Sequence, residues 1–264
     1  MTQSSDPASG SDESRWFGFR PVEPDRKASL VRQVFDSVAP RYDLMNDLMS
    51  MGVHRLWKAA LIRQMDPRPG QVLVDVAGGT GDVAFAFLER SNRNLSPGQT
   101  PARAVVCDIN TSMMAVGRDK AIDRGRLENL DWLTGDAEKL PLPDSCADVY
   151  TISFGLRNVT RMDAALAEAR RVLRPGGRFF CLEFSKVVLP VLDRLYDLYS
   201  FQVLPRLGQL VAGDRESYAY LVESIRRFPD QDTLARRMEQ AGLQHVRWRN
   251  LSGGIAAVHS GWRI

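Results

Sequence analysis

A chain of 264 residues, 44% hydrophobic and 25% charged, can bury one full α/β core and carry a helical cover besides. A net charge of +3 with no basic arm argues against a nucleic-acid partner, since the arginine pairs 170–171, 226–227 and 236–237 fall in helical patterns as solvated faces. The three cysteines share no C-x-x-C spacing, which points away from a disulfide framework or a zinc site and toward a reduced, intracellular chain.

Residues 1–25 read as a loosely attached tail, with Trp16-Phe17-Gly18-Phe19 standing out in it. Residues 1–14 have neither the basic and apolar regions of a signal peptide nor the low acidity of an organelle presequence. From Lys27 a helical pattern sets Leu30, Val31, Val34, Phe35 and Val38 on one face, until Pro40 ends it. A second helical stretch carries His54, Trp57, Leu61 and Met65 and stops at Asp66-Pro67. Two such helices ahead of a sheet would cover one end of it. Tyr42, Asn46 and His54, polar or aromatic near the intervening loop, would grip a substrate there.

The chain is organised around residues 71–82, QVLVDVAGGTGD. A β-branched apolar run, a glycine turn and an apolar helical pattern make the first half of a βαβ unit, with a backbone bare enough for a nucleoside to lie against; the bland alternative is a tight turn that binds nothing. Gly79, Gly81 and Ala84 also fit G-x-G-x-x-A, so a nicotinamide-dependent oxidoreductase is the rival. A pyrophosphate would rest on the helix N-terminus, where Asp75 and Asp82 would repel it. They suit a ligand with a cationic end and no phosphate, such as S-adenosylmethionine. Residues 91–101 read as a long surface loop.

Strand 104–107 ends in Asp108, placed either to accept from both ribose hydroxyls or to cap the next helix, a task Asn110 would do equally. Strand 130–133 leads to Asp136, which suits the adenine amine or serves as a capping or solvated carboxylate, and to Ala137, whose backbone N–H suits the ring. Strand 148–154 ends in Gly155-Leu156-Arg157-Asn158, the natural bearer of chemistry, because open parallel sheets bind ligands beyond the carboxyl ends of their strands. A helix over 161–173, a Pro175-Gly176-Gly177 break and a strand over 178–184 follow. Residues 189–210 carry a Leu, Tyr and Phe stripe that is core or a groove for a greasy ligand. Helices over 218–228 and 232–241 precede two final strands, 244–251 and 255–260, joined at Ser252-Gly253-Gly254. Seven strands fit one doubly wound, mostly parallel sheet of the Rossmann-like kind.

These motifs in this order resemble a class I S-adenosylmethionine-dependent methyltransferase. VFDSVAPRYDLMNDLMSMGVHRLWK (34–58), DVAGGTGD (75–82), CDIN (107–110), GDAEKLP (135–141), TISFGLRNV (151–159), RPGGRFFCLEFS (174–185), YLVESIRRFPDQ (220–231) and LSGGIAAVHSG (251–261) resemble the UbiE-type C-methyltransferases of ubiquinone and menaquinone biosynthesis. The resemblance runs from about Phe17 to the C-terminus; the N-terminal tail and the loop at 91–101 lie outside its motifs. It implies one methyltransferase domain over 26–264, with N-terminal helices over 26–66 and a substrate-covering helical region over 189–241. It carries S-adenosylmethionine contacts onto Thr80, Asp108, Asp136, Ala137 and Ser153.

The implied reaction adds a methyl group to a ring carbon of a polyprenylated quinol. Arg157 would favour the phenolate by its charge and orient a water as proton acceptor, because a guanidinium stays protonated, or would instead form a structural salt bridge to a helix carboxylate. Asn158, with Tyr42, would position the ring. The expected setting is cytoplasmic, with peripheral contact at the inner face of the membrane, no nucleic acid and no metal; a homodimer or a quinone-synthesis complex stays open. The Pro-Pro-aromatic run of amino-group methylases is missing after strand 148–154, where Phe154-Gly155-Leu156 stands, and the nucleophilic cysteine of pyrimidine C-methylases, commonly after proline, is not matched by Cys146, which follows Ser145. A non-catalytic assembly subunit is the remaining alternative, and Arg157 with the full set of cofactor positions argues against it.

Overall fold

The computed structural model describes residues 13–39, 42–50, 52–187 and 215–264. Its main sheet holds seven strands: β1 (Val72–Val76), β2 (Arg103–Asp108), β3 (Leu130–Thr134), β4 (Ala147–Ser153), β5 (Leu173–Phe184), β6 (Gln244–Leu251) and β7 (Ala256–Trp262). They lie side by side as β3-β2-β1-β4-β5-β7-β6. The first five are parallel, and β7 runs antiparallel between β5 and β6. The described helices are α1 (Pro24–Val38), α2 (Tyr42–Ser50), α3 (His54–Met65), α4 (Asp82–Asn92), α5 (Thr111–Asp123), α6 (Met162–Val172), α7 (Arg215–Arg227) and α8 (Gln231–Gln240).

Both faces of the sheet are covered, which is why β1 is apolar almost throughout. Side chains alternate between faces along a strand. Leu73, Val149, Phe180 and Leu182 pack with Trp57, Leu61, Met65 and Phe87 of α3 and α4 on one side. Val74, Val76, Tyr150, Ile152 and Phe179 pack with Leu166, Ala169, Leu234 and Met238 of α6 and α8 on the other. Strand order reverses between β1 and β4, and the ends of those two strands open into the site.

Local departures from the sequence reading have physical causes. Strand β5 begins at Leu173, because Pro175-Gly176-Gly177 is absorbed as a register shift against β4 around Ala147 and Val149. The loop after α4 is clamped by Asn92, whose side chain bonds both the N–H (2.8 Å) and the C=O (3.2 Å) of Ala102. Residues 16–21 form a small hairpin, Trp16–Phe17 paired with Arg20–Pro21. Phe17 stacks on Tyr220 of α7 at 4.1 Å, so aromatic packing holds a stretch that composition grouped with the tail. Residues 1–12 lie outside the described residues. So does the stripe at 189–210 and, with it, the first part of the expected substrate-covering region; α7 and α8 form the rest.

Candidate functional site

A cavity of about 470 Å³ opens at the carboxyl ends of β1 to β4, within the size range of small-molecule and cofactor sites. Its floor comes from four successive strand ends. These supply Ala77 and Gly79 after β1, Asp108 to Asn110 at β2, Gly135 to Glu138 after β3, and Phe154, Gly155 and Asn158 after β4. Helix α1 closes it with Ala28, Val31 and Phe35.

The backbone is bent hard to make this floor. Ala77 and Phe154, neither of them glycine, sit in the left-handed region at φ 49° and 57°. Such conformations cost about 1–3 kcal/mol each and cluster at functional sites. The two strand ends also approach closely, since a Cβ on Gly155 would lie 2.4 Å from the Cβ of Ala77. Gly155→Ala should therefore cost about 1–3 kcal/mol, read as a lowered melting temperature, together with weaker cofactor binding in calorimetry. Wild-type values for both would mean that the strand ends part freely.

Asp108 is buried and fixed from both sides. Its Oδ2 accepts from Gly79 N and its Oδ1 from Asn110 N, both at 2.8 Å. Burial raises its pKa, while the N–H groups of Asn110, Gly79 and Ile109 pull the other way. The capping role falls to Asn110, whose Oδ1 accepts from Met113 N at 2.9 Å. Asn110 Nδ2 donates to Asp36 of α1 at 3.0 Å, which ties the cover to the floor. Asp136 lines the cavity with Ala137 beside it, and its Oδ1 accepts from Glu138 N. Glu138 in turn takes the Nε (2.6 Å) and the backbone N–H (2.8 Å) of Arg161, bridging the loops after β3 and β4.

Of the site residues expected from sequence, Asp108, Asp136, Ala137 and Asn158 line this cavity together. Thr80 is buried under the glycine loop and does not line it. Ser153 also stands off it, with a buried hydroxyl that has no partner among the described residues. Arg157 is displaced further from expectation. Its Nη1 donates to both carboxylate oxygens of Glu183 at 3.0 Å and to the Phe154 carbonyl, so its charge is not free. It lines a separate cavity of about 30 Å³ behind the turn, with Lys27, Tyr220 and Ser224. His54 is paired with Asp47 at 2.9 Å in the α2–α3 junction. Asn46 is buried away from the cavity, and the side chain of Tyr42 lies outside the described part of the structure.

The charge argument made from the glycine loop needs correcting. Burial pushes the Asp82 carboxyl up, but Lys58 at 2.9 Å and Lys120 at 3.9 Å outweigh it and the net shift is downward. Asp75 is 1% exposed and accepts the Thr151 hydroxyl at 2.7 Å. Neither lines the cavity; the acids that do are Asp25, Asp108, Asp136 and Glu138. Burial raises the Asp75 carboxyl to about 7, against the opposing pull of Thr151 and Lys58. A raised folded-state pKa means that stability is lost as pH climbs from about 4 to about 7. Asp75→Asn should remove that loss, stabilising the ligand-free protein at pH 8 by up to about 4 kcal/mol and hardly at all at pH 4. Chemical denaturation at the two pH values checks this, and an equal effect at both would rule out the ionisation.

Sequence reasoning missed Glu183 and Tyr220, which hold Arg157 and Asn158 from β5 and α7. A carboxylate inside the otherwise apolar run FFCLEF was the one available signal for the first.

Comparison with known proteins agrees with this geometry. The ubiE/COQ5 methyltransferase family matches residues 23–263. The Ubiquinone/menaquinone biosynthesis C-methyltransferase UbiE of Paracoccus denitrificans (strain Pd 1222) is 58% identical, over 94% of this chain and 96% of that protein. The mitochondrial 2-methoxy-6-polyprenyl-1,4-benzoquinol methylase of Mus musculus is 51% identical, over 94% and 84%. Among solved structures, a SAM dependent methyltransferase from Aquifex aeolicus matches 78% of this chain and 89% of its own, with a TM-score of 0.56 at 15% identity. The [4+2]-cyclase SpnF covers 89% and 96%, with a TM-score of 0.64 at 17% identity. A family match across nearly the whole chain, and relatives above half identity, leave one conclusion: the chain belongs to the ubiE/COQ5 methyltransferase family.

Proposed function

We propose that this methyltransferase methylates a ring carbon of a polyprenylated quinol, either a 2-polyprenyl-6-methoxy-1,4-benzoquinol or a demethylmenaquinol, with S-adenosylmethionine as donor. The observation that carries the reading is the two-part character of one cavity. Its lining combines Gly79, Asp108, Asp136 and Ala137 from the strand ends with the apolar side chains of Ala28, Val31, Phe35 and Phe154, and Arg32 and Arg161 stand in the same lining. A nucleoside suits the strand-end group and a substituted ring with a greasy tail suits the apolar one.

The strand-end group fits the cofactor. A Cβ on Gly79 would stand 4.0 Å from Asp108 Oδ2 and crowd Met113 at 3.2 Å, so the bare backbone keeps room beside the carboxylate. Asp108 would hold the ribose hydroxyls, while Asp136 and the Ala137 N–H would hold adenine. Thr80 and Ser153, both set back from the cavity, would act on the cofactor through the loops that carry them. S-adenosylmethionine, when bound, supplies a methyl group already activated on a sulfonium.

The rest of the task is orientation and charge. A quinol ring carbon becomes nucleophilic when its phenolic proton leaves, and holding it in line with the methyl accounts for up to ~7–11 kcal/mol of the barrier. Asn158 faces the ring from the floor. Arg157 acts from behind it: its Nε has no partner among the described residues, and the cavity of about 30 Å³ beside it is large enough for one water. The two cavities share Val159 in their lining, and a water at that shared edge is the proposed proton acceptor, with Glu183 fixing the guanidinium that orients it.

The tail of such a substrate lies in lipid, and among the described residues no helix is long and apolar enough to cross a membrane. Peripheral contact at the inner face of the membrane from the cytoplasmic side, with residues 189–210 as the contacting region, follows as part of this proposal. Assembly as a homodimer or within a quinone-synthesis complex belongs to it too. The discriminating experiment offers a short-chain demethylated substrate in its reduced and oxidised forms. Radiolabel from the cofactor should enter the quinol and not the quinone, because only the quinol can yield a phenolate. Equal labelling of both, or of neither, would refute the proposal.

A further inference from the structure

Asn158 is held by a residue that sequence reasoning did not connect to it. Its Oδ1 accepts from the Tyr220 hydroxyl at 2.9 Å. Its Nδ2 lies 3.5 Å from the Phe154 carbonyl, which Arg157 also uses. The amide oxygen thus faces α7 and the nitrogen faces the strand end. A flipped amide would set its oxygen against the Phe154 carbonyl, acceptor against acceptor, so the observed orientation is the favoured one.

Tyr220 is itself tightly seated. It is 3% exposed, and its ring stacks on Phe17 at 4.1 Å and 14°. The hairpin that brings Phe17 there is fastened to the same helix. Phe19 N donates to Glu223 Oε2 at 2.9 Å. Gly18, at φ +60°, leaves no room for a side chain, since a Cβ would meet Glu223 Oε2 at 2.2 Å. Arg227 lies 4.0 Å over the Trp16 ring.

We infer that Tyr220 is a positioning residue: through its hydroxyl it holds the Asn158 amide oxygen toward α7, so that Nδ2 directs one N–H at the Phe154 carbonyl and leaves the other for the substrate oxygen that gains charge. A donor pre-set toward a developing oxyanion acts in the transition state more than in the ground state. A freely turning amide would present its oxygen part of the time and oppose that charge. The inference rests on the quinol C-methylation proposed above.

The test is a double-variant cycle on the full chain, using Tyr220→Phe, Asn158→Ala and the pair with a short-chain demethylated quinol. Tyr220→Phe keeps the stacked ring and deletes one hydrogen bond, so kcat should fall roughly three- to tenfold. Quinol KM and cofactor Kd should stay within about twofold, because the ground state barely uses the donor. In the Asn158→Ala background the same change should have no further effect. A wild-type kcat in Tyr220→Phe, or the same loss in both backgrounds, would overturn the inference. If the wild type methylates no quinol, the proposed function fails, and the positioning claim is still decided by NMR. With ¹⁵N-labelled asparagine, the side-chain amide signal assigned to Asn158 by its loss in Asn158→Ala should shift in Tyr220→Phe. An unmoved signal would overturn the claim by itself.

Discussion

Asp108→Ala should lower S-adenosylmethionine affinity at least tenfold and remove most turnover at ordinary cofactor concentrations. The carboxylate reaches the cavity with both oxygens already anchored on Gly79 N and Asn110 N, so its direction is set before any ligand arrives. The proposed charge-assisted bonds from two ribose hydroxyls would contribute up to ~1.5–3 kcal/mol each, and alanine could make neither. It also leaves the two backbone N–H groups without their acceptor, so a lowered melting temperature should accompany the lost affinity. Asp108→Asn keeps the volume and one acceptor, and should fall between wild type and alanine on both counts. Titration calorimetry beside a thermal melt separates the effects. Unchanged affinity with a lowered melting temperature would leave Asp108 with the single job of tying β2 to the glycine loop.

Removing Arg157 should produce the largest loss of stability in the site. The side chains of Arg157 and Glu183 are 4% and 1% exposed at 3.0 Å separation. Breaking a buried pair from one side strands the other charge, at a cost of about 3–5 kcal/mol. Burial already raises the Glu183 carboxyl above its ordinary value near 4.5, and Arg157 holds it back. Without Arg157 that pKa rises further, so the stability deficit of Arg157→Ala should be small near pH 4.5 and grow as pH climbs. Adding Glu183→Gln removes the stranded charge and should restore most of the melting temperature. Turnover should not return with it if Arg157 orients the water that takes the phenolic proton. Arg157→Lys should lie between, keeping charge but losing the fork that serves Glu183 and a water together. Raising pH should partly rescue the turnover of Arg157→Ala molecules that stay folded, even as their stability falls, since hydroxide can then take the phenolic proton. Recovery of turnover along with stability in the double variant would make the arginine purely architectural.

Much of this site was legible because its positions are fixed by where strands end. A β-branched run followed by Asp108, and another followed by Asp136-Ala137, place those groups over the sheet whatever else the chain does. The glycine loop does lie on the floor of the cavity, with Gly79 in its lining, but the charge argument attached to it does not hold. Asp82 opens α4 and turns toward Lys58 of α3, and no spacing rule shows that a helix packed earlier in the chain neutralises it. The left-handed backbone of Ala77 and Phe154 was equally hidden, since neither residue type signals positive φ. Arg157 stood out from the motif around it, but its partner Glu183 lies on the next strand, and the side chain that holds Asn158 comes from α7. Pairings of that kind are made by tertiary packing and leave no periodicity to read. The likeness to a [4+2]-cyclase makes the complementary point: this fold alone does not fix a chemistry, and the residues at the strand ends must carry that argument.

The most direct measurement of the central claim is the fate of a labelled methyl group. The protein would be incubated with S-adenosylmethionine carrying a ¹³C-methyl and a short-chain demethylated quinol, and the product examined by NMR and mass spectrometry. The account predicts one label per product, at the chemical shift of a methyl on an aromatic carbon, with the ring hydrogen at that carbon gone and both phenolic oxygens unmethylated. A label at the shift of a methoxyl group, or cofactor that binds with full dependence on Asp108 while no quinol is ever methylated, would contradict it.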